Sequence, residues 1–450
     1  MREVRIHDTL SGELRTVDAS GELGIYACGP TVYGRIHIGN ARPFVVFSLL
    51  ARFLRGEGYA VRLAINVTDI NDKIYDAARA SGRASGQFAA EMTAAYIADT
   101  DRLGLGRPDA EPLASQTISE IVALIEALVE SGHAYESGGD VYFRVRSFDA
   151  YGKLSNRRTD EMDQGEEAGT ESLKEDRLDF ALWKAQKEGE DTAWESPWGR
   201  GRPGWHIECS AMAEAELGVP LAIHGGGSDL VFPHHENEIA QSEAARGKPL
   251  ARIWMHNGMV EIDAEKMSKS EGNIFQLAEA LDRFGREAIV AYLVAGHYRQ
   301  PLAFSPDELE QARSRVERLR NFLRANRPTA AADHDPYVGE RREAFLDALA
   351  DDFNTPAAIA EMFALVAEGN RRQLPGAPEA LVGMLELLGL ESLAGAEEAP
   401  DADAQRLLAE REAAREAREF ERADQIRERL AAAGWEVRDG ATGPRLVRRS

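Results

Sequence analysis

The strongest constraint in this sequence is the run that begins at Gly24, where apolar GIYAC passes through GPTVYGRIHIGN into amphipathic ARPFVVFSLLARFLR and then into VRLAIN. An apolar run of strand length, a Gly-containing bend, a helix stopped by Gly56 and Gly58, and a second apolar run spell strand, helix, strand. That order opens a nucleotide-binding α/β fold.

The rest of the chain departs from this pattern and returns to it. Residues 107–200 hold helical ISEIVALIEALVESG, strand-like DVYFRV and an acidic segment from Gln164 to Thr170, and they read as a connective insertion between two halves of one sheet, 1–106 and 201–305. The second half holds GWHIECSAM, LAIHGGGSDLVF and IWMHNGMVEIDAEKMSKS. Beyond Pro306, apolar Leu309, Ala312, Val316, Leu319 and Leu323 form one stripe, which predicts a helical bundle over 306–392. Its second helix is expected to start with Thr355 as N-cap and Pro356 in the first turn. Residues 393–450 begin as a linker, SLAGAEEAPDADA at the boundary, then give one Ala/Glu/Arg-rich helix and two short strands around a Gly-rich turn. The fold class is Rossmann-like α/β with an insertion, a helical bundle and a small C-terminal α/β domain.

Charge and cysteine usage narrow the chemistry. The formal net charge of -23 repels a polyanion at long range, so a nucleic-acid partner would have to meet local basic patches. Candidates are Arg313, Arg315, Arg318, Arg320, Arg324 and Arg327 on the first bundle helix, with Arg445, Arg448 and Arg449 in the tail. The competing reading is a solvated helix face with Glu partners. The start, MREVRIHDTL, has no apolar stretch after a basic segment, and the greasy run FVVFSLLARFL is interrupted by Arg52. The expectation is therefore a cytoplasmic chain with no membrane partner. With only two cysteines, Cys28 and Cys209, disulfides do not hold it together.

Those two thiols are candidate metal ligands together with His234 and Glu238. If FPHHENEIAQSEA is a helix, His234 and Glu238 lie one turn apart on one face, while His235 points elsewhere. Cys28 ends the first strand, at the edge where an open sheet binds ligands. Without a CxxC pair, two buried thiols and a surface helix with histidines fit the spacing as well.

A second constellation suits a nucleotide. HIGN joins a strand to a helix, with Gly39 at the bend and Asn40 at the cap, so backbone N–H groups and the helix dipole face the crevice and His37 can donate to a phosphate. An ordinary capped turn is the bland alternative. Lys266 and Lys269 of KMSKS can place positive charge where phosphates gain negative charge. In HGGGSDL the glycines admit a close ring or ribose, and Asp229 can accept from a hydroxyl.

Taken together, CGPTVYGRIHIGNAR, NVTDINDK, GRPGWHIECSAM, HGGGSDLVFPHHENEIAQSEA and KMSKSEGN resemble the bacterial cysteinyl-tRNA synthetases, a class I aminoacyl-tRNA synthetase family, in that family's order and over essentially the whole chain. The resemblance implies that Cys28, Cys209, His234 and Glu238 hold one zinc ion, which selects the substrate thiolate where a hydrophobic pocket separates near-isosteres poorly. It places Thr68 and Trp205 in the amino-acid pocket, core packing being the alternative for Trp205. His37, Gly39, Asn40, Asp229, Lys266 and Lys269 fall at the ATP subsite, with His37 and the two lysines catalytic and Mg2+ accompanying ATP. The partners implied are L-cysteine, ATP and cysteine tRNA, the chain acting as a monomer. Asn40 departs from the family's usual histidine; it can donate a hydrogen bond but cannot become cationic. Arg415, Asp424 and Asp439 are candidates for anticodon base edges. A ligase joining cysteine to an amino sugar would share the zinc and ATP motifs but has no use for the last two domains. A non-catalytic paralogue would be expected to lose a zinc ligand or a KMSKS lysine, and none is lost.

Overall fold

The computed structural model describes residues 1–162, 173–262, 265–266, 275–326, 328, 335–395, 401–440 and 443–448. At its centre four parallel strands lie side by side in the order Ala251–Asn257, Leu221–Gly227, Leu23–Ala27, Val61–Ile65. In chain order these are the fourth, third, first and second, so the connections diverge on either side of the first and third strands. Ligands bind beside such a switch point, at the carboxyl ends of the strands. Cys28 directly follows the first strand, and its backbone N–H donates to the Gly225 carbonyl of the third at 2.9 Å.

Both faces of the sheet are covered, which is why its strands are apolar without alternation. The helix Ile38–Gly56 buries Phe44, Val45, Phe47, Leu50, Phe53 and Leu54. The helix Trp205–Leu217 packs on the first two strands of the chain order. The third strand ends in glycine for want of space: a Cβ on Gly225 would lie 1.7 Å from the Met255 carbonyl oxygen of the neighbouring strand.

The insertion folds as a four-stranded antiparallel sheet, Ala134–Ser137, Asp140–Phe143, Phe180–Ala185 and Gly201–Pro203, backed by the helix Ile118–Glu130. Its last strand thus runs past residue 200. The acidic segment Gln164–Thr170, Glu166 included, lies outside the described residues.

The bundle comprises the helices Pro306–Ala325, Pro336–Ala350, Thr355–Arg372 and Ala377–Leu387. The helix expected second is therefore third. Its N-cap is Asn354, whose side chain accepts from the Ala357 N–H at 3.1 Å, not Thr355, whose hydroxyl donates to the Val294 carbonyl at 2.8 Å. Asp352 and Phe353, with φ of 62° and 45°, turn the chain just before it. The Asp352 carboxylate accepts from the His7 N–H at 2.9 Å and the Tyr298 hydroxyl at 2.7 Å, which ties the bundle to both halves of the α/β domain.

The C-terminal domain also differs from expectation. The long charged helix is two, Ala402–Glu416 and Phe420–Ala432, separated at Arg418, whose φ is 59°. Folding back on itself lets the segment bury Ala404, Leu407, Ile426 and Leu430 with Trp435 and Leu446 of the hairpin Trp435–Gly440 and Gly443–Arg448. Among the described residues no helix is long and apolar enough to cross a membrane.

Candidate active site and metal centre

At the switch point the two cysteines meet the histidine-rich turn. Cys28 Sγ lies 3.6 Å from His234 Nε2, 3.5 Å from Glu238 Oε1 and 3.4 Å from His235 Nε2. His234 Nε2 lies 3.0 Å from Glu238 Oε1, as one helical turn requires. Cys209, buried on the helix Trp205–Leu217, interacts with both the Cys28 thiol and the His234 imidazole. The four residues expected to hold zinc are thus brought together.

His235 corrects the sequence pattern, which turns it away. The chain kinks at Phe232, extended at φ -141°, before the helix Glu236–Arg246, and the consecutive imidazoles of His234 and His235 are both buried. Cys28, His234, His235 and Glu238 each offer a donor atom within 4.8 Å of the others, and all four are buried. His235 Nδ1 is 2.7 Å from His256 Nε2, whose Nδ1 is 2.8 Å from the Thr9 hydroxyl. His224 lies beside the cluster, with Nε2 2.7 Å from Glu238 Oε2. No metal-ligand spacing marks His224 or His256 in the sequence, although the former opens HGGG.

Charge in this dry pocket is strongly skewed. Burial works against ionisation of Glu238, yet the imidazoles of His224 and His234 outweigh it and hold the carboxyl well below its usual range. Burial also disfavours a charged His234, but Glu238 and Cys209 push it up to about 10. Burial raises the Cys28 thiol, whereas the bond to Cys28 lowers that of Cys209. A carboxylate, two sulfurs and several imidazoles thus crowd together in a site closed to water. Two soft sulfurs, an imidazole and a carboxylate are a donor set that fits zinc.

The nucleotide constellation sits at the start of the helix Ile38–Gly56. Here His37, not Asn40, is the N-cap: its Nδ1 accepts the Asn40 N–H at 3.3 Å, and Asn40 Oδ1 accepts the His37 N–H at 3.3 Å. This reciprocal capping box sets the imidazole over the helix end. Gly39 makes room for it, since a Cβ there would lie 2.9 Å from His37 Nδ1. Asp229 follows the third strand in the short turn Ser228–Leu230 and is exposed. Glu265–Lys266 pairs antiparallel with Val260–Ile262, while the Lys266 side chain and Lys269 lie outside the described residues.

Thr68 and Trp205 complete the expected amino-acid pocket. Thr68 is buried, and its hydroxyl accepts from Asn66 Nδ2 at 3.2 Å. Trp205 stacks on the His234 ring at 4.3 Å while 36% exposed, which is not the environment of a core tryptophan.

Of the remote candidates, Arg415 and Asp424 are exposed on the two helices of the C-terminal domain, and Asp439 lies in the hairpin. Several bundle arginines have partners on their own helix: Arg313 pairs with Glu310, and Arg320 and Arg324 with Glu317. Arg318 covers the Phe363 ring. Arg327 and Arg449 lie outside the described residues, as do the side chains of Arg445 and Arg448.

Residues 15–314 match the family model of the tRNA synthetases class I (C) catalytic domain. Among solved structures, the chain resembles Mycobacterium tuberculosis methionyl-tRNA synthetase in complex with methionyl-adenylate, with a TM-score of 0.61 at 15% identity over 83% of this chain and 89% of that one. It resembles equally the Agrobacterium radiobacter K84 LeuRS–tRNA–LeuAMS ternary complex, with a TM-score of 0.63 at 12% identity over 85% and 86%. A switch-point sheet whose first helix begins with a histidine cap is here the catalytic fold of a class I aminoacyl-tRNA synthetase. Residues 344–390 match the DALR domain and 398–444 the cysteinyl-tRNA ligase anticodon binding domain. Cysteine–tRNA ligases of Brevibacillus brevis and Chromohalobacter salexigens are each 45% identical, over 95% and 99% of this chain and 96% and 99% of theirs. The chain belongs to the cysteine–tRNA ligase family: it is a ligase that joins cysteine to its tRNA at the expense of ATP.

Proposed function

We propose that the two constellations divide the reaction between them, the buried cluster taking the thiol end of cysteine and the His37 helix end taking ATP with Mg2+. Cys28, Cys209, His234 and Glu238 would hold zinc, with the His235 donor atom beside theirs and His224 orienting Glu238. Bound there, zinc supplies a soft Lewis acid that prefers a thiolate to a hydroxyl, and so separates cysteine from serine. The observation that carries this reading is the buried cluster of Cys28, His234, His235 and Glu238, with Cys209 against Cys28 and His234, beside the stacked, partly exposed Trp205.

The remaining work is positioning and charge. His37 uses Nδ1 as the helix cap, so its proton sits on Nε2, from which it can donate to a phosphate. The first-turn N–H groups and the helix dipole favour the same anion. Asp229 offers a hydroxyl acceptor, and Lys266 and Lys269 add positive charge as pyrophosphate leaves. The cysteine carboxylate attacks the α-phosphorus, and the 2′-hydroxyl of the terminal adenosine then displaces AMP from the adenylate. No covalent enzyme intermediate is involved. Thr68 and Trp205 border the amino acid, while Arg415, Asp424 and Asp439 read the anticodon. The enzyme acts as a cytoplasmic monomer.

The test is cysteine-dependent exchange of pyrophosphate into ATP, with and without zinc chelation, followed by charging of a cysteine tRNA transcript. Exchange lost on chelation and restored by zinc is expected. Exchange indifferent to chelation would remove the metal from the reading.

A further inference from the structure

The helix that carries His37 at its cap holds, just over one turn further on, a buried cation with no carboxylate paired to it among the described residues. Arg42 is 0% exposed. Its Nη1 donates to the carbonyls of Gly258 at 2.6 Å and Met259 at 3.2 Å, and its Nη2 to the carbonyl of His297 at 3.2 Å. Taking a guanidinium out of water is costly, and burial pulls its pKa down to about 10. An apolar side chain would avoid that cost at a position otherwise surrounded by core. What the guanidinium supplies instead is a planar fork that holds two separate segments at once.

The first of these segments leads to the ATP side of the site. Gly258 and Met259 lead directly into the hairpin of Val260–Ile262 with Glu265–Lys266. The Gly258 N–H donates to the Tyr298 carbonyl at 2.7 Å, and a Cβ on Gly258 would lie 2.2 Å from the Gln300 carbonyl oxygen, so this backbone has no slack on its far side. Beyond the hairpin the chain returns to the same helix end. The Ile38 N–H donates to the Phe275 carbonyl at 3.0 Å, and the Leu277 N–H to the Ile36 carbonyl at 3.1 Å. The backbone before position 260 and after position 274 is thus fixed to the first turns of one helix, and Arg42 makes the leading attachment.

We propose that Arg42 is a positioning residue for ATP: its fork fixes the backbone of Gly258 and Met259, and with it the hairpin that carries Lys266, in register with His37. The inference rests on the assignment of the His37 helix end to ATP. Lysine keeps the charge but offers one ammonium on a flexible stem, so it cannot hold three carbonyls in one plane.

The experiment measures pyrophosphate exchange in full-length Arg42→Lys, Arg42→Met and His37→Ala enzymes, with zinc content and folded fraction recorded for each. The expected result for Arg42→Lys is a rise of about tenfold or more in KM for ATP or an equal fall in kcat, on the scale that a small misplacement of a reacting group imposes. KM for cysteine and zinc content stay within twofold of wild type. Arg42→Met is expected to be worse in the same parameters; should it fail to fold, Arg42→Lys carries the test alone. Wild-type ATP kinetics in Arg42→Lys beside an impaired His37→Ala overturn the role of Arg42 and leave the ATP assignment standing. Parallel losses in ATP and cysteine parameters that track the folded fraction also overturn it, because a merely structural role moves both. If His37→Ala exchanges at the wild-type rate, the ATP assignment itself falls.

Discussion

His224 and Glu238 face each other inside a wholly buried cluster, with Nε2 2.7 Å from Oε2, while the other ring nitrogen of His224 lies 3.1 Å from the Tyr26 carbonyl. Two acceptors on opposite edges fix the plane of the imidazole, and the imidazole in turn aims Glu238 Oε1 at Cys28 and His234. Groups that orient a metal ligand in this way typically contribute about 10- to 100-fold to metal affinity. His224→Gln should weaken zinc binding by that factor in a graded chelator competition. An unchanged competition midpoint would show that the orientation contributes nothing.

Cys209 is expected to matter more directly. It reaches the cluster from a different element than Cys28, and its sulfur interacts with both Cys28 and His234. A hydroxyl is a much poorer zinc ligand than a thiolate. Cys209→Ser should therefore lose bound zinc and cysteine-dependent exchange together, and retention of wild-type metal content contradicts its place in the ligand set.

Trp205 gives a separable prediction because one face is stacked and the other exposed. The ring lies on His234 at 4.3 Å but is 36% exposed, so removing it opens no closed cavity. Trp205→Ala should raise KM for cysteine by up to about tenfold, the scale of one aromatic contact. The unfolding midpoint should barely move. A large loss of stability with KM unchanged would return Trp205 to a packing role.

How much of this was legible depended on whether the chemistry was written in residue type or in local geometry. Strand, helix and strand were readable because their apolar runs are continuous, and Cys28, Cys209, His234 and Glu238 stood out as motif residues. His235 was not readable: an α-helix separates consecutive side chains, and nothing in FPHHENE announces that both imidazoles after the kink at Phe232 are buried. Arg42 was hidden for the opposite reason, since a lone charge in an amphipathic helix is usually assigned to the solvent face, and here it falls on the buried face with Ala41, Val45 and Val46. The break at Arg418 has neither Gly nor Pro to mark it; the residue holds a positive φ because two short helices bury more apolar surface folded together than one long helix could. Asn354 displaced Thr355 as cap because Thr355 found a better partner in the Val294 carbonyl.

The C-terminal domain offers a test on the tRNA side. Phe420, at the start of the second of its two helices, is 63% exposed, and such a ring is poorly placed for packing but well placed to stack on an unpaired base. Base stacking is worth about 1–3 kcal/mol per base. Phe420→Ala should raise KM for cysteine tRNA about fivefold or more, while pyrophosphate exchange without tRNA is unchanged. Equal charging kinetics in the two proteins would dismiss the ring as a tRNA contact.

Glu236 stands in sequence between His234 and Glu238 but serves the insertion. It is fully buried, and its carboxylate accepts from the backbone N–H groups of Gly152 at 2.9 Å, Leu154 at 3.4 Å and Ser155 at 2.8 Å, and from the Ser155 hydroxyl at 2.8 Å. The neighbouring contacts repeat the attachment, since the Tyr151 hydroxyl donates to Asn237 and Lys153 pairs with Glu243 at 2.5 Å. The loop of the insertion is therefore locked to the helix that positions Glu238. Glu236→Ala leaves several buried donors without an acceptor, each costing about 1–3 kcal/mol, so a loss of roughly 3–5 kcal/mol is expected. Glu236→Gln keeps one acceptor oxygen and should lose less. Because the same helix carries Glu238 and directly follows the segment that holds His234, zinc affinity should fall in the same order, Ala more than Gln. Thermal unfolding of the zinc-loaded proteins checks the first expectation and chelator competition the second. An Ala variant that melts within about 2 °C of wild type, far less than such a loss implies for a domain of ordinary size, shows that the loop does not depend on this carboxylate.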